Sequence, residues 1–143
     1  MLEDLQRAIS NTEAHLESLR HENGHWEGYL SSSALSTATA VVALHLVDSA
    51  LHADFIAKGQ KWLCDHQNAD GGWGDTTISK SNLSTTLLCW SALHLGGQLP
   101  RSVALADAWI RSHVMSLEPQ AIAKAVIGRY GKDKTFSVPI LML

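Results

Sequence analysis

Apolar side chains recur along this chain with helical spacing in six segments. Residues 2–20, 52–67 and 101–114 place them at intervals of three and four, which gathers them on one helical face. Residues 34–47 and 83–95 are apolar on nearly every side, so each should be covered nearly all round. A short sixth helix is predicted at 120–129. Amphipathic helices that alternate with apolar ones are typical of two concentric layers, and we predict an all-α fold, an α/α toroid of helical hairpins.

Polar and glycine residues set the predicted ends of these helices. Ser32 or Ser33 is suited to cap the first apolar helix, and Asn82 is suited to cap the second. Gly96-Gly97 should stop that second helix, and Pro119 should open the sixth. The final stretch, TFSVPILML, ends inside an apolar run, and we expect the chain to be a fragment whose ring is incomplete.

A glycine-rich turn closed by a tryptophan follows the second amphipathic helix, in the stretch KGQKWLCDHQNADGGWGD. Asn68 and Asp70 compete for backbone hydrogen bonds, and Gly71 tolerates left-handed dihedral angles, so the helix breaks there. Trp73 then has a large ring to bury and an N–H to satisfy, while the amide of Gln67 can bond the exposed backbone of the helix end. We interpret the stretch as a structural clasp between two helices and not as a catalytic loop.

The clasp sequence occurs twice. Gly24 and Trp26 precede Gly71 and Trp73 by 47 residues, and Leu16 precedes Leu63 by the same interval. Further matches at intervals of 47 to 49 are Leu35-Ser36-Thr37 with Leu83-Ser84-Thr85, Ala43-Leu44-His45-Leu46 with Ala92-Leu93-His94-Leu95, and Lys61-Trp62-Leu63 with Ala108-Trp109-Ile110. A third copy of the repeat begins at Ala108-Trp109-Ile110, but it lacks the glycines and the tryptophan of the clasp. A period of this length with two helices per unit indicates a helical repeat array or a closed ring.

Composition narrows the classes of function. The chain has 143 residues and a net charge of −3, so it offers no basic face for nucleic acid. Cys64 and Cys89 lie on apolar segments and are predicted to be buried free thiols, which fits a reducing, cytoplasmic setting. The polar N-terminus is not a secretory signal, and no run of 18 apolar residues is present to span a bilayer.

The helix carrying KGQKWL, followed by Gln67 and Gly71-x-Trp73, resembles the Gln–Trp repeat of squalene-hopene cyclases and oxidosqualene cyclases. In the first copy Arg20 stands in place of the glutamine, although Gly24 and Trp26 are kept. The resemblance covers essentially the whole chain and is shared more loosely with protein prenyltransferase β-subunits and plant-type diterpene cyclases. It implies that residues 1–143 are the N-terminal portion of a terpenoid cyclase-like α/α-barrel domain, an α6–α6 barrel-like ring that is incomplete here.

The resemblance also implies an isomerase that folds a linear, squalene-like triterpene in an apolar cavity and begins the reaction by protonating an alkene or an epoxide. The family's acid lies in an Asp-x-Asp-Asp motif in the C-terminal half, and this chain lacks that motif. We therefore expect no catalytic residue, no cofactor and no activity in this chain alone. Its partners would be the remainder of the cyclase, the substrate and a membrane surface contacted from one side.

Several residues invite other interpretations. Trp90 lies on an apolar helix and is a candidate cavity-lining residue, although ordinary core packing explains it as well. Cys64-Asp65-His66 contains zinc-ligand types, but adjacent helical residues point apart, so no metal site is expected. Asn68-x-Asp70-Gly71 matches part of a calcium-binding loop. His66 and Thr77 stand at the first and twelfth positions of that loop, where acids are needed, so no calcium site is expected. Two alternatives stay open: a non-catalytic α/α-barrel binding module, and a piece of a prenyltransferase β-subunit.

Overall fold

A computed structural model describes residues 1–28, 30–95 and 101–131, and within these ranges the protein is all-α. This confirms the predicted fold class, and each of the six predicted helices is present with ends within two residues of the prediction. The helices are α1 (Leu2–Ser18), α2 (Ala34–Asp48), α3 (Ala53–Asp65), α4 (Leu83–His94), α5 (Arg101–Val114) and α6 (Pro119–Tyr130). The predictions for Gly96-Gly97 and for the apolar stretch at 135–143 lie outside the described residues.

Two of the predicted caps are formed. The Ser33 hydroxyl accepts a hydrogen bond from the Ser36 amide at 3.2 Å, and the Asn82 side chain accepts one from the Thr85 amide at 3.0 Å. Because these caps are 49 residues apart, equivalent positions in α2 and α4 are also 49 apart. The match of residues 43–46 with 92–95 is therefore structural. The match of residues 35–37 with 83–85, at an interval of 48, is one residue out of register.

The chain forms two compact units, Met1–Ser31 and Ser32–Leu143. The first unit holds α1 and the turn that follows it. No residue of α1 is buried, because this unit contains no second helix to cover its apolar side. The aliphatic side chains predicted to line that side are therefore largely exposed: Leu2, Leu5, Ile9, Leu16 and Leu19.

The second unit contains the hydrophobic core. Helices α2 and α4 pack side by side, α3 packs against both, α5 packs against α4, and α6 packs against α5. Most of α4 is buried, as predicted, but the same prediction is wrong for α2. Only Ala34, Ala38 and Val41 of α2 are buried, because α3 and α4 cover one side of the helix only.

Burial differs from the prediction at two positions near α3. The helical spacing of Phe55, Gly59 and Leu63 predicts that Phe55 shares the covered face, but it is exposed, and Ile56 takes the buried position seven residues before Leu63. Cys64 is only partly buried, whereas Cys89 is fully buried, and both thiols are free. Burial raises the pKa of the Cys89 thiol well above its ordinary value, because the charged thiolate would lose its solvation. Among the described helices, none is long and apolar enough to cross a membrane.

Candidate functional site: the two tryptophan corners

The residues singled out by the repeat form two corners, each at the C-terminal end of an amphipathic helix. We call residues 19–28, after α1, the first corner, and residues 66–75, after α3, the second corner. Each lies within one compact unit, so its internal geometry can be compared with that of the other.

Trp73 joins the end of α3 to the beginning of α4 in the second corner. Its ring is 1% exposed, and its indole N–H donates to the Leu63 carbonyl at 2.9 Å, in the last turn of α3. The Leu63 carbonyl also accepts from the His66 amide at 3.3 Å, and the indole adds a second donor at this helix end. The Trp73 amide donates to the Thr86 hydroxyl at 3.0 Å, and its carbonyl accepts from the Asn82 amide at 3.0 Å.

Gly71 makes the turn between α3 and Trp73. Its φ of +90° is in the left-handed region that favours glycine, and its amide donates to the Asn68 carbonyl at 2.9 Å. A Cβ atom at this position would lie 2.7 Å from the backbone carbonyl oxygen of Leu105 in α5. Both the dihedral angle and the close approach of α5 therefore require glycine.

Gln67 ties the second corner to a further helix. One amide nitrogen donates to the Gly71 carbonyl and to the Ser102 carbonyl, each at 2.8 Å. Ser102 lies in the first turn of α5. The side chain therefore bonds the turn to which it belongs and the next amphipathic helix along the chain.

Asp70 and Trp109 form a contact that no local sequence pattern predicts. The Asp70 carboxylate accepts from the Ser81 hydroxyl at 2.7 Å, the Gly72 amide at 3.1 Å and the Trp109 indole at 3.1 Å. Partial burial acts to raise the pKa of Asp70, but the hydrogen bonds from Ser81, Gly72 and Trp109 outweigh it and hold the pKa below its ordinary value. A carboxylate in this state is ionised at neutral pH, the reverse of an acid poised to protonate an alkene.

The signal for that contact was the repeat itself. Trp109 follows Trp62 by 47 residues, and each indole stacks on a histidine four residues later. The ring centroids are 4.0 Å apart for Trp62 and His66, and 3.8 Å apart for Trp109 and His113. The repeat therefore indicates a structural role for Trp109, but it does not indicate that Asp70, 39 residues earlier, is its hydrogen-bond partner.

The first corner repeats the hydrogen bonds of the second. The Trp26 indole N–H donates to the Leu16 carbonyl at 2.8 Å, and the Gly24 amide donates to the His21 carbonyl at 2.8 Å with φ of +83° at Gly24. Arg20 takes the place of Gln67, because its Nε donates to the Gly24 carbonyl at 3.3 Å. The guanidinium carbon also lies 5.4 Å from the centre of the Trp26 ring.

Trp90 lies at the contact between α4 and α5. The core of the second unit consists of two hydrophobic clusters, one mainly around α2, α3 and α4 and the other around α4, α5 and α6, and Trp90 is partly buried against both. Its indole N–H donates to the Asp107 carboxylate at 2.6 Å. Its role as a cavity-lining residue stays a prediction. Beside the second corner, an open groove of about 870 Å³ lies between the turn, residues 77–81 and α5, and its lining includes Asp70, Lys80, Trp109 and His113.

The described residues bring no three histidine, cysteine or acidic side chains together as metal ligands. Within Cys64-Asp65-His66, Asp65 pairs with Lys61 at 2.6 Å, and the His66 imidazole bonds the Trp62 carbonyl at 2.8 Å. These two side chains therefore already have partners within α3. The chemistry that this site offers is hydrogen bonding and burial at helix ends.

Comparison with known proteins agrees with the resemblance carried by the corners. A family model described as the squalene-hopene cyclase N-terminal domain matches residues 9–143. The terpene cyclase-glycosyl transferase fusion protein fsoA of Humicola fuscoatra is 34% identical over 108 residues, which are 72% of this chain and 8% of that protein. Enfumafungin synthase efuA of Hormonema carpetanum is 28% identical over 102 residues, which are 71% of this chain and 8% of that protein. No solved structure gives a significant match.

The family model covers far more than half of the sequence, including both corners and all of the second compact unit. The chain spans only about 8% of the length of the two curated relatives. The match is to the model of the family's N-terminal domain, and the chain belongs to the squalene-hopene cyclase family.

Proposed function

We propose that this chain is a structural, corner-bearing part of a triterpene cyclase and does not itself carry the reacting groups. The complete enzyme would be an isomerase that cyclises a linear, squalene-like triterpene after protonating an alkene or an epoxide. Membership of the squalene-hopene cyclase family supports the substrate class. The toroidal arrangement of the hairpins is part of the same proposal.

One observation carries the structural role. The indole of the corner tryptophan donates to the carbonyl ten residues earlier in both corners, from Trp26 to Leu16 and from Trp73 to Leu63. In the second corner Gln67 and Asp70 extend these bonds to α5. Side chains whose polar atoms are bonded to the fold in this way hold helices in register, and this supports a scaffold role for Gln67, Gly71 and Trp73, and by repetition for Gly24 and Trp26.

The residues available for catalysis point the same way. Asp65 pairs with Lys61, Asp70 accepts three hydrogen bonds, and Asp75 accepts hydrogen bonds from Asn82 and Thr85. Each carboxylate is already held by donors of the fold, so the catalytic acid would lie elsewhere in a complete cyclase. The free thiols of Cys64 and Cys89 support a reducing, cytoplasmic setting, which with a peripheral membrane contact completes the proposal.

Two measurements test this division of roles. The purified chain, incubated with squalene and separately with 2,3-oxidosqualene, should return both unchanged by gas chromatography and mass spectrometry. The coding sequence beyond Leu143 should continue in frame into an Asp-x-Asp-Asp motif. A cyclic product from this chain above a protein-free control would contradict the scaffold role. A downstream reading frame without any cyclase sequence would contradict the proposed enzyme.

A further inference from the structure

We draw no further inference here: the strongest candidate, the open groove between the second corner, residues 77–81 and α5, is lined by Asp70 and Trp109 of the site already described, and nothing within the described residues shows what would bind there.

Discussion

The two corners have the same internal hydrogen bonds but very different surroundings. In both, a tryptophan indole donates to the carbonyl of a leucine ten residues earlier, and a glycine makes the turn, with φ of +83° in the first corner and +90° in the second. Trp73 is 1% exposed, whereas Trp26 is 46% exposed. Leu63 is fully buried, and its counterpart Leu16 is half exposed.

This difference separates what a local sequence specifies from what its neighbours add. The first corner has this turn geometry although none of the described residues of its unit is buried, so the turn itself does not depend on burial. Burial of the tryptophan requires α4 and α5, which supply Thr86, Ser102 and Trp109 as partners of the second corner. We therefore expect equivalent substitutions to cost far more free energy of unfolding in the second corner than in the first.

The largest difference should come from removing the rings. Trp73→Ala should lower the free energy of unfolding by about 3–5 kcal/mol, because it leaves a cavity between α3 and α4 and removes the indole hydrogen bond to the Leu63 carbonyl. Trp26→Ala should cost about 1 kcal/mol or less, because the ring is already half in water. Urea unfolding followed by far-ultraviolet circular dichroism measures both. Equal costs would show that burial is not what distinguishes the corners.

The turn glycines should differ next. Gly71→Ala combines left-handed strain with a Cβ atom 2.7 Å from the Leu105 carbonyl oxygen, and should cost about 2–4 kcal/mol. Gly24→Ala meets nothing closer than the Arg20 guanidinium at 3.5 Å, so strain alone should cost about 1–2 kcal/mol. Thermal and urea unfolding of the pair provide the measurement. A cost at Gly24 that matches the cost at Gly71 would mean that the approach of α5 contributes nothing.

The residues at positions 20 and 67 should show a smaller difference. Gln67→Met removes two hydrogen bonds at a partly buried position and should cost about 1–3 kcal/mol. Arg20→Met removes one long hydrogen bond at an exposed position and should stay within about 0.5 kcal/mol. The urea midpoints of the two variants, compared where the dependence of the unfolding free energy on urea concentration is unchanged, measure both costs. Equal losses would indicate that the bond from Gln67 to Ser102 adds no stability.

The smallest effect is the dependence on pH of the Asp70 contacts. Since the pKa of Asp70 is lowered in the folded state, its stabilisation is complete above the ordinary aspartate value of about 3.9 and is lost as the pH falls through the lower folded value. Urea midpoints between about pH 5 and about pH 3 should therefore fall less in Asp70→Asn than in the natural sequence. The first corner has Asn23 at this position and offers no such titration. If the urea midpoints of Asp70→Asn and of the natural sequence fell equally with pH, the ionisation of Asp70 would contribute nothing to the stability of the second corner.

Much of the second unit could be predicted from spacing and caps. The bounds of α5 match the prediction, and Ser33 and Asn82 cap the helices for which they were chosen. These features depend on neighbours within four residues, which a sequence pattern shows directly. The hydrogen bond between Asp70 and Trp109 joins residues 39 apart, so no local pattern could pair them.

The exposure of the first corner could not be predicted for a related reason. Residues of α1 repeat the spacing of α3, with Ile9 and Leu16 at the places of Ile56 and Leu63, so their sequence reads as a covered face. Whether such a face is covered depends on helices that pack from outside the repeat. The same limit explains why the apolar pattern of α2 predicts a helix that is covered nearly all round, although Ala34, Ala38 and Val41 are its only buried residues.

Hydrogen exchange of the two indole N–H groups tests the central claim most directly. Both groups donate to a leucine carbonyl at nearly the same distance, 2.8 Å for Trp26 and 2.9 Å for Trp73. Tryptophan-to-phenylalanine variants assign the five indole signals in the NMR spectrum. We expect the Trp73 proton to exchange at the rate of global unfolding and the Trp26 proton at least about a hundredfold faster. Equal protection of the two protons would contradict the claim that burial by α4 and α5, and not the turn itself, locks the corner.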